Sequence, residues 1–127
     1  MIFGIGCDIT KVSRFERWVK DESLLSRFFN EKEMLSSKTA SLQRKCEYYA
    51  VRFAAKESFS KALGTGLKGF CLTDIYIEKD NEDKPVLRVT GKAEEQLIKY
   101  CGAGCRVHVS LSHEKEYALA YVVIERG

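Results

Sequence analysis

The sequence lacks most of what would place it outside ordinary globular proteins. It has one proline in 127 residues, no low-complexity run, and 11% aromatic residues, which excludes disordered, collagen-like and mucin-like classes. No apolar stretch approaches the ~18 residues of a transmembrane helix, so no membrane partner is expected. The apolar start MIFGIGCDIT has no basic leading region and carries Asp8, and it reads as a strand rather than a secretion signal. Excess charge is also scarce. With 21 Lys+Arg against 18 Asp+Glu the net charge is +3, too little for bulk nucleic-acid binding but compatible with a local basic patch for an acidic partner. The five cysteines are an odd number without a Cys-x-x-Cys motif. They favour reduced thiols in a cytoplasmic protein, mostly as small core residues. Cys101 and Cys105 have only His108 nearby, too few ligands for zinc.

What is present fits one domain, residues 1–127, large enough to bury a core without staples. Residues 2–9 read as a strand whose glycines let another backbone approach. Residues 12–20 suggest a helix with Val12, Phe15 and Val19 on one side, and 24–36 one or two short helices broken and capped at Asn30. The strongest element runs from Ser41 as N-cap to Leu63, stopped at Gly64-Thr65-Gly66. Its two apolar stripes are Leu42, Cys46, Tyr49, Phe53 and Tyr48, Val51, Ala55, Phe59, Ala62, so it is expected to be buried on two sides. Residues 72–79 and 85–90 read as strands around the turn Asp80–Lys84. Residues 91–100 read as a helix with Ala93, Leu97 and Tyr100 inward, and 106–113 with 116–125 as a hairpin. The order predicts an α+β domain, an antiparallel sheet packed against one long helix and several shorter ones. No internal repeat or linker is visible.

Five places carry candidate chemistry. Asp8 ends an apolar strand: it is either a cap or turn residue, or a carboxylate that needs a cation. Glu57 and Lys61 continue an apolar stripe of the long helix: they are a surface ion pair, or a magnesium ligand and a phosphate partner at a core edge. Gly64-Thr65-Gly66 is a helix stop or a loop whose amides help bind phosphate. Ser110-Leu111-Ser112-His113 is a polar strand face ending in a turn histidine, or part of a phosphate pocket. Lys11, Arg14, Arg17 and Lys20 recur every three residues beside Trp18: they form a solvated face, or a docking surface for an acidic helix with Trp18 as its apolar anchor.

In this order GIGCDIT (4–10), RFAAKESFSKALGTG (52–66) and HVSLSHEKEYALAYVVIE (108–125) resemble the short bacterial holo-[acyl-carrier-protein] synthases, the compact branch of the 4′-phosphopantetheinyl transferases. The resemblance implies that family's α+β fold and its activity in fatty acid biosynthesis. In that reaction 4′-phosphopantetheine passes from coenzyme A to a serine of apo-acyl carrier protein, and adenosine 3′,5′-bisphosphate is released. It implies Mg²⁺ on Asp8 and Glu57, with Lys61 as a second, catalytic cation on the diphosphate. Around the nucleotide it implies Arg52, His113 and the Gly64, Thr65, Gly66 loop. It also implies carrier contact through Arg14, Arg17 and Trp18, and a homotrimer with active sites between subunits. The resemblance leaves the general base open between Glu57 and a water on the metal. One departure stands out: a turn that is often Gly-Lys-Pro in relatives reads Asp83-Lys84-Pro85, and Pro85 is expected to border the adenine site. The competing readings are a nucleotide- or RNA-binding module and a scaffold in which Glu57–Lys61 is only an ion pair.

Overall fold

Strand β1, Ile2–Lys11, alternates between an exposed face (Ile5, Cys7, Ile9) and an inward face (Gly4, Gly6, Asp8, Thr10). Helix α2, Leu42–Leu63, lies across the inward face. The structure is a computed structural model and describes residues 1–35 and 39–127. At Gly4 an added Cβ would overlap the carbonyl oxygen of Ala62, and at Gly6 that of Ser58. The two glycines therefore admit the helix backbone where any side chain would hold it off. The Ser58 hydroxyl completes the seam. It donates to Ala54 O (2.7 Å) within the helix and lies 2.9 Å from Ala120 O of strand β5, Tyr117–Glu125.

The ends of α2 follow the sequence expectation. Ser41 Oγ accepts from Arg44 N at 3.1 Å, and Gly64 closes the helix in the left-handed region at φ 87°. Helix α1, Glu22–Phe28, is capped by Asp21, and the 3₁₀ turn Glu31–Glu33 carries a capping box on Asn30. Strands β2 (Ile75–Lys79) and β3 (Pro85–Val89) form a hairpin, followed by α3, Gly91–Cys101. Strand β4, Arg106–His113, pairs with β5, giving the order β1-β5-β4, all antiparallel. The α+β expectation holds, with the five strands among the described residues divided between this sheet and the β2–β3 pair.

Residues 12–20 form two 3₁₀ turns, Val12–Phe15 and Trp18–Lys20, rather than one α-helix. The buried set is Val12, Phe15 and Trp18, a repeat of three that matches the 3₁₀ period, and Val19 is only half-buried. The one or two short helices expected over 24–36, broken and capped at Asn30, are α1, which begins at Glu22 and stops at Phe28, and the 3₁₀ turn Glu31–Glu33; Ser36 lies outside the described residues. Residues 72–74 form a 3₁₀ turn ahead of β2. In α3, Cys101 faces inward in place of Tyr100, because the spacing Ala93, Leu97, Cys101 keeps one face. The Gly102–Gly104 turn folds Cys105 back onto Cys101, and the two form a disulfide with Cα atoms 6.6 Å apart. That corrects the expectation of reduced thiols at both positions. Cys7 and Cys71 are exposed rather than core residues, and Cys46 is buried.

The two stripes of α2 do bury it on two sides, although Leu42 is exposed. What the stripes did not show is Lys56, which is fully buried. Its ammonium meets the fully buried Glu33 at 2.6 Å, Leu72 O at 2.9 Å and the Ile75 carbonyl oxygen, so its three donors are satisfied. Glu33 also accepts from Asn30 N (3.0 Å) and Ile77 N (3.2 Å). Burial pulls the Lys56 pKa down, with Glu33 opposing.

Gly6→Ala sets a methyl group against Ser58 O and 2.7 Å from Ala62 N. Helix and strand must then part, and a loss of about 1–3 kcal/mol in urea unfolding is expected. Lys56→Met leaves the Glu33 carboxylate buried without a counter-charge. Unfolding should fall by about 3–5 kcal/mol, with part of the loss regained in Lys56→Met/Glu33→Leu.

Candidate active site

Asp8 is the next inward residue of β1 after Gly6, so it comes close to α2 just beyond the seam. Lys61 Nζ donates to Asp8 Oδ1 at 3.1 Å and to Cys7 O at 3.0 Å. The Asp8 side chain is 18% exposed and that of Lys61 53%, so the pair sits at the mouth of the contact rather than in the core. Glu57 lies one helical turn before Lys61 and is half-buried. Burial raises its pKa above the ordinary glutamate value, the nearby Asp8 charge raises it further, and Lys61 and Arg14 oppose. Residues far apart in the chain thus share one electrostatic environment.

Two carboxylates beside one ammonium leave an acidic excess that a hard divalent cation relieves. Among the described residues no group of three or more His, Cys, Asp or Glu could hold a metal. A cation on Asp8 and Glu57 must therefore complete its shell with substrate oxygens and water. That donor set suits magnesium, which commonly takes one or two carboxylates and keeps the rest of its octahedron for phosphate and water. Gly64-Thr65-Gly66 follows Lys61 at the end of α2. A Cβ at Gly64 or Gly66 would meet nothing within 4 Å, so the loop is open to an approaching group.

The other expected residues lie elsewhere. A cleft of about 380 Å³ between α2, β4 and the β2–β3 hairpin is lined by Arg44, Tyr48, Arg52, Lys79, Pro85 and His113, among others. The Arg52 guanidinium lies 3.5 Å over the Tyr48 ring and donates to Tyr48 O at 3.2 Å. Its buried Nε has no hydrogen-bond partner. Tyr48 is held in turn by its hydroxyl, which donates to Glu33 O at 2.7 Å. Arg52 and Lys61 are separated by about two and a half helical turns and leave α2 on opposite sides. Asp8 stands on one edge strand of the three-stranded sheet and His113 at the end of the other. Within one chain the acidic pair and the basic cleft are separate regions.

The sequence reading did not place Arg44, Tyr48 or Lys79 at a site; Tyr48 was read only as part of an apolar stripe. Arg44, Tyr48 and Arg52 fall four apart, a row on one helix face, and that spacing was the available signal. Ser110 and Ser112 lie on the exposed outer face of the sheet, away from α2, and of that segment Leu111 and His113 reach the cleft. Trp18, expected as a surface anchor, is 7% exposed and packs among Phe15, Phe28, Phe29 and Phe53. Arg14 covers this cluster, its guanidinium 5.7 Å from the Trp18 ring and 5.0 Å from the Phe53 ring. Lys11, Arg14, Arg17 and Lys20 are all exposed.

Residues 4–122 match the family model of the 4′-phosphopantetheinyl transferase superfamily. The chain belongs to this superfamily. It is 48% identical to a holo-[acyl-carrier-protein] synthase of Treponema denticola, over 98% of this chain and 99% of the relative. Among solved structures it resembles the Bacillus anthracis holo-(acyl-carrier-protein) synthase in complex with CoA (3′,5′-ADP), with a TM-score of 0.80 and 38% identity over 100% of this chain and 99% of the other. It also resembles the Neisseria meningitidis synthase, with a TM-score of 0.83 and 36% identity over 99% of this chain and 100% of that one.

The raised pKa of Glu57 has a testable sign. In Asp8→Asn the like charge is gone and the Glu57 pKa should fall; in Lys61→Met it should rise further. A ¹³C NMR titration of the Glu57 carboxyl reads both. Because the folded pKa exceeds the unfolded one, the stability Glu57 contributes is complete below the unfolded value. It is lost as pH rises through the folded value.

Proposed function

We propose that this chain is a holo-[acyl-carrier-protein] synthase. It transfers 4′-phosphopantetheine from coenzyme A to a serine hydroxyl of an apo-acyl carrier protein and releases adenosine 3′,5′-bisphosphate. The observation that carries this reading is the meeting of Asp8, Glu57 and Lys61 at the β1–α2 seam in a member of this superfamily. The Bacillus anthracis relative, named for its complex with CoA (3′,5′-ADP), supports the donor.

In the reaction the carrier serine oxygen forms a bond to the phosphorus that bears pantetheine, and the bond from that phosphorus to the bridging oxygen of the diphosphate breaks. The serine proton passes to the Glu57 carboxylate or to a water beside it. Asp8 and Glu57 would hold Mg²⁺, which when bound neutralises charge on the diphosphate. Lys61 has spent two donors on Asp8 and Cys7 O, and the third is left for a diphosphate oxygen. Arg52, with its unpartnered Nε, sits in the cleft with Pro85 and His113. These three take the nucleotide end, with the Gly64–Gly66 loop beside the diphosphate.

One chain holds these groups on opposite sides of α2, so the complete site forms between copies, in a homotrimer. The exposed apolar side chains of Ile5, Ile9 and Tyr121 on the outer sheet face support such an assembly. Arg14 and Arg17 face an acidic carrier protein, while Trp18 supports that surface from beneath. The chain acts as a single domain, 1–127, in cytoplasmic fatty acid biosynthesis. No helix among the described residues is long and apolar enough to cross a membrane.

Incubation with coenzyme A, Mg²⁺ and apo-carrier should add the mass of one phosphopantetheine to the carrier. Asp8→Ala and Glu57→Ala should each cut the rate by about 100-fold or more, as expected when a metal-based charge stabiliser is lost. Failure of the wild-type chain with several carrier types, or an Asp8→Ala variant of undiminished rate, would overturn the reading.

A further inference from the structure

The turn between β2 and β3 needs a residue of positive φ near its end to close the hairpin, Asp83 N donating to Asp80 O at 3.0 Å, but it needs no charge there. Asp83 is the one non-glycine residue with positive φ, at 65°, among the described residues. Glycine adopts that conformation without cost, whereas an aspartate only tolerates it. Nor does the Asp83 carboxylate cap the turn. Asp80 does so, its Oδ1 accepting from Glu82 N at 2.8 Å and Lys84 N at 3.0 Å. Asp83 reaches instead to Lys79 Nζ, 3.6 Å away.

Both partners line the cleft that holds Arg44, Arg52 and His113. The cleft's other acid, Glu47, is turned to Gln43, whose Nε2 donates to it at 2.8 Å. A basic cleft thus has one of its own cations closed off by a carboxylate at the rim. The pair is held loosely, since the side chains are 56% (Lys79) and 82% (Asp83) exposed. An exposed ion pair at this separation is weak, and a stronger anion displaces it.

We propose that Asp83 sets how tightly the cleft holds the donor's phosphate by competing with that phosphate for the Lys79 ammonium. The proposal rests on the cleft being the nucleotide end of the site. A phosphomonoester carries about −1.5 to −2 charges at neutral pH against one on Asp83, so it draws Lys79 away. The carboxylate left at the rim then repels the phosphate it has admitted. Asp83 weakens binding of the donor and speeds departure of the bisphosphate product, a specificity role with no part in bond making.

The test is calorimetric titration of the full chain with adenosine 3′,5′-bisphosphate at low and high salt. Asp83→Asn keeps the side-chain shape and a residue that accepts positive φ; Asp83→Gly also removes the strain. Both should tighten binding about threefold at low salt, the scale of an exposed charge pair, and the gain should shrink at high salt. In a Lys79→Gln background the Asp83→Asn gain should fall by at least half. Unchanged affinity in Asp83→Asn, a gain confined to Asp83→Gly, or a gain undiminished without Lys79 would each overturn the proposal while leaving the cleft's role intact. No binding of the bisphosphate to the wild-type chain would overturn the cleft's role and this proposal together.

Discussion

Everything at the acidic site depends on a backbone-to-backbone contact, the crossing of α2 over β1 at Gly4 and Gly6. Two successive inward positions of the strand carry no side chain, and the carbonyl oxygens of Ser58 and Ala62 fill that space. The contact fixes the helix in both rotation and translation. Ser58 and Ala62, four apart, form the row that touches the strand. Glu57 and Lys61, four apart and one residue earlier, form the adjoining row. The charged row therefore emerges at the edge of the contact, where the next inward residue of the strand is Asp8. Small residues in one row and charged residues in the next are a single specification: shift the helix by one residue and the carboxylate meets alanine instead of Lys61.

Neighbouring residues of α2 show two treatments of buried charge. Lys56 has every donor matched and a carboxylate at 2.6 Å, so its burial is compensated and it joins the Glu31–Glu33 turn to the helix and to β2. Glu57 is half-buried beside a like charge, with only partial relief from Lys61 and Arg14, which leaves its pKa high. A satisfied charge holds structure together; an under-compensated one is disposed to bind a cation or accept a proton. The Glu33 link extends outward as well, since Tyr48, bonded to Glu33 O, carries the Arg52 guanidinium on its ring. The core ion pair and the cleft are thus parts of one connected support.

The legible features in the sequence were those governed by local rules. The ends of α2 follow from Ser41 and Gly64, the glycines of β1 foretold close approach, and Asp8 was conspicuous in an apolar strand, although that strand runs on past it to Lys11. Features set by tertiary geometry were hidden. The Glu33–Lys56 pair joins residues with no local relation, and a lysine in a helix reads as solvated by default. Val12, Phe15 and Trp18 fit an α-helix or a 3₁₀ turn equally well, because both place residues three apart close together. The burial of Trp18 depends on Phe28, Phe29 and Phe53 arriving from other elements. Strand alternation grouped Ser110 with Ser112 correctly but cannot say which face of a sheet meets the helix.

The separation of the two regions also follows from the sheet order. With β5 between them, β1 and β4 stand about 10 Å apart, and α2 covers the space between. A helix with its side chains is about 10 Å across, and Lys61 and Arg52 leave it on opposite sides. The acidic pair has charge to place but little to grip a nucleotide. The cleft has an unpartnered guanidinium nitrogen, and its two acids, Glu47 and Asp83, are turned to Gln43 and Lys79. Each region is chemically half of what phosphoryl transfer needs, and α2 keeps the two halves apart within one chain.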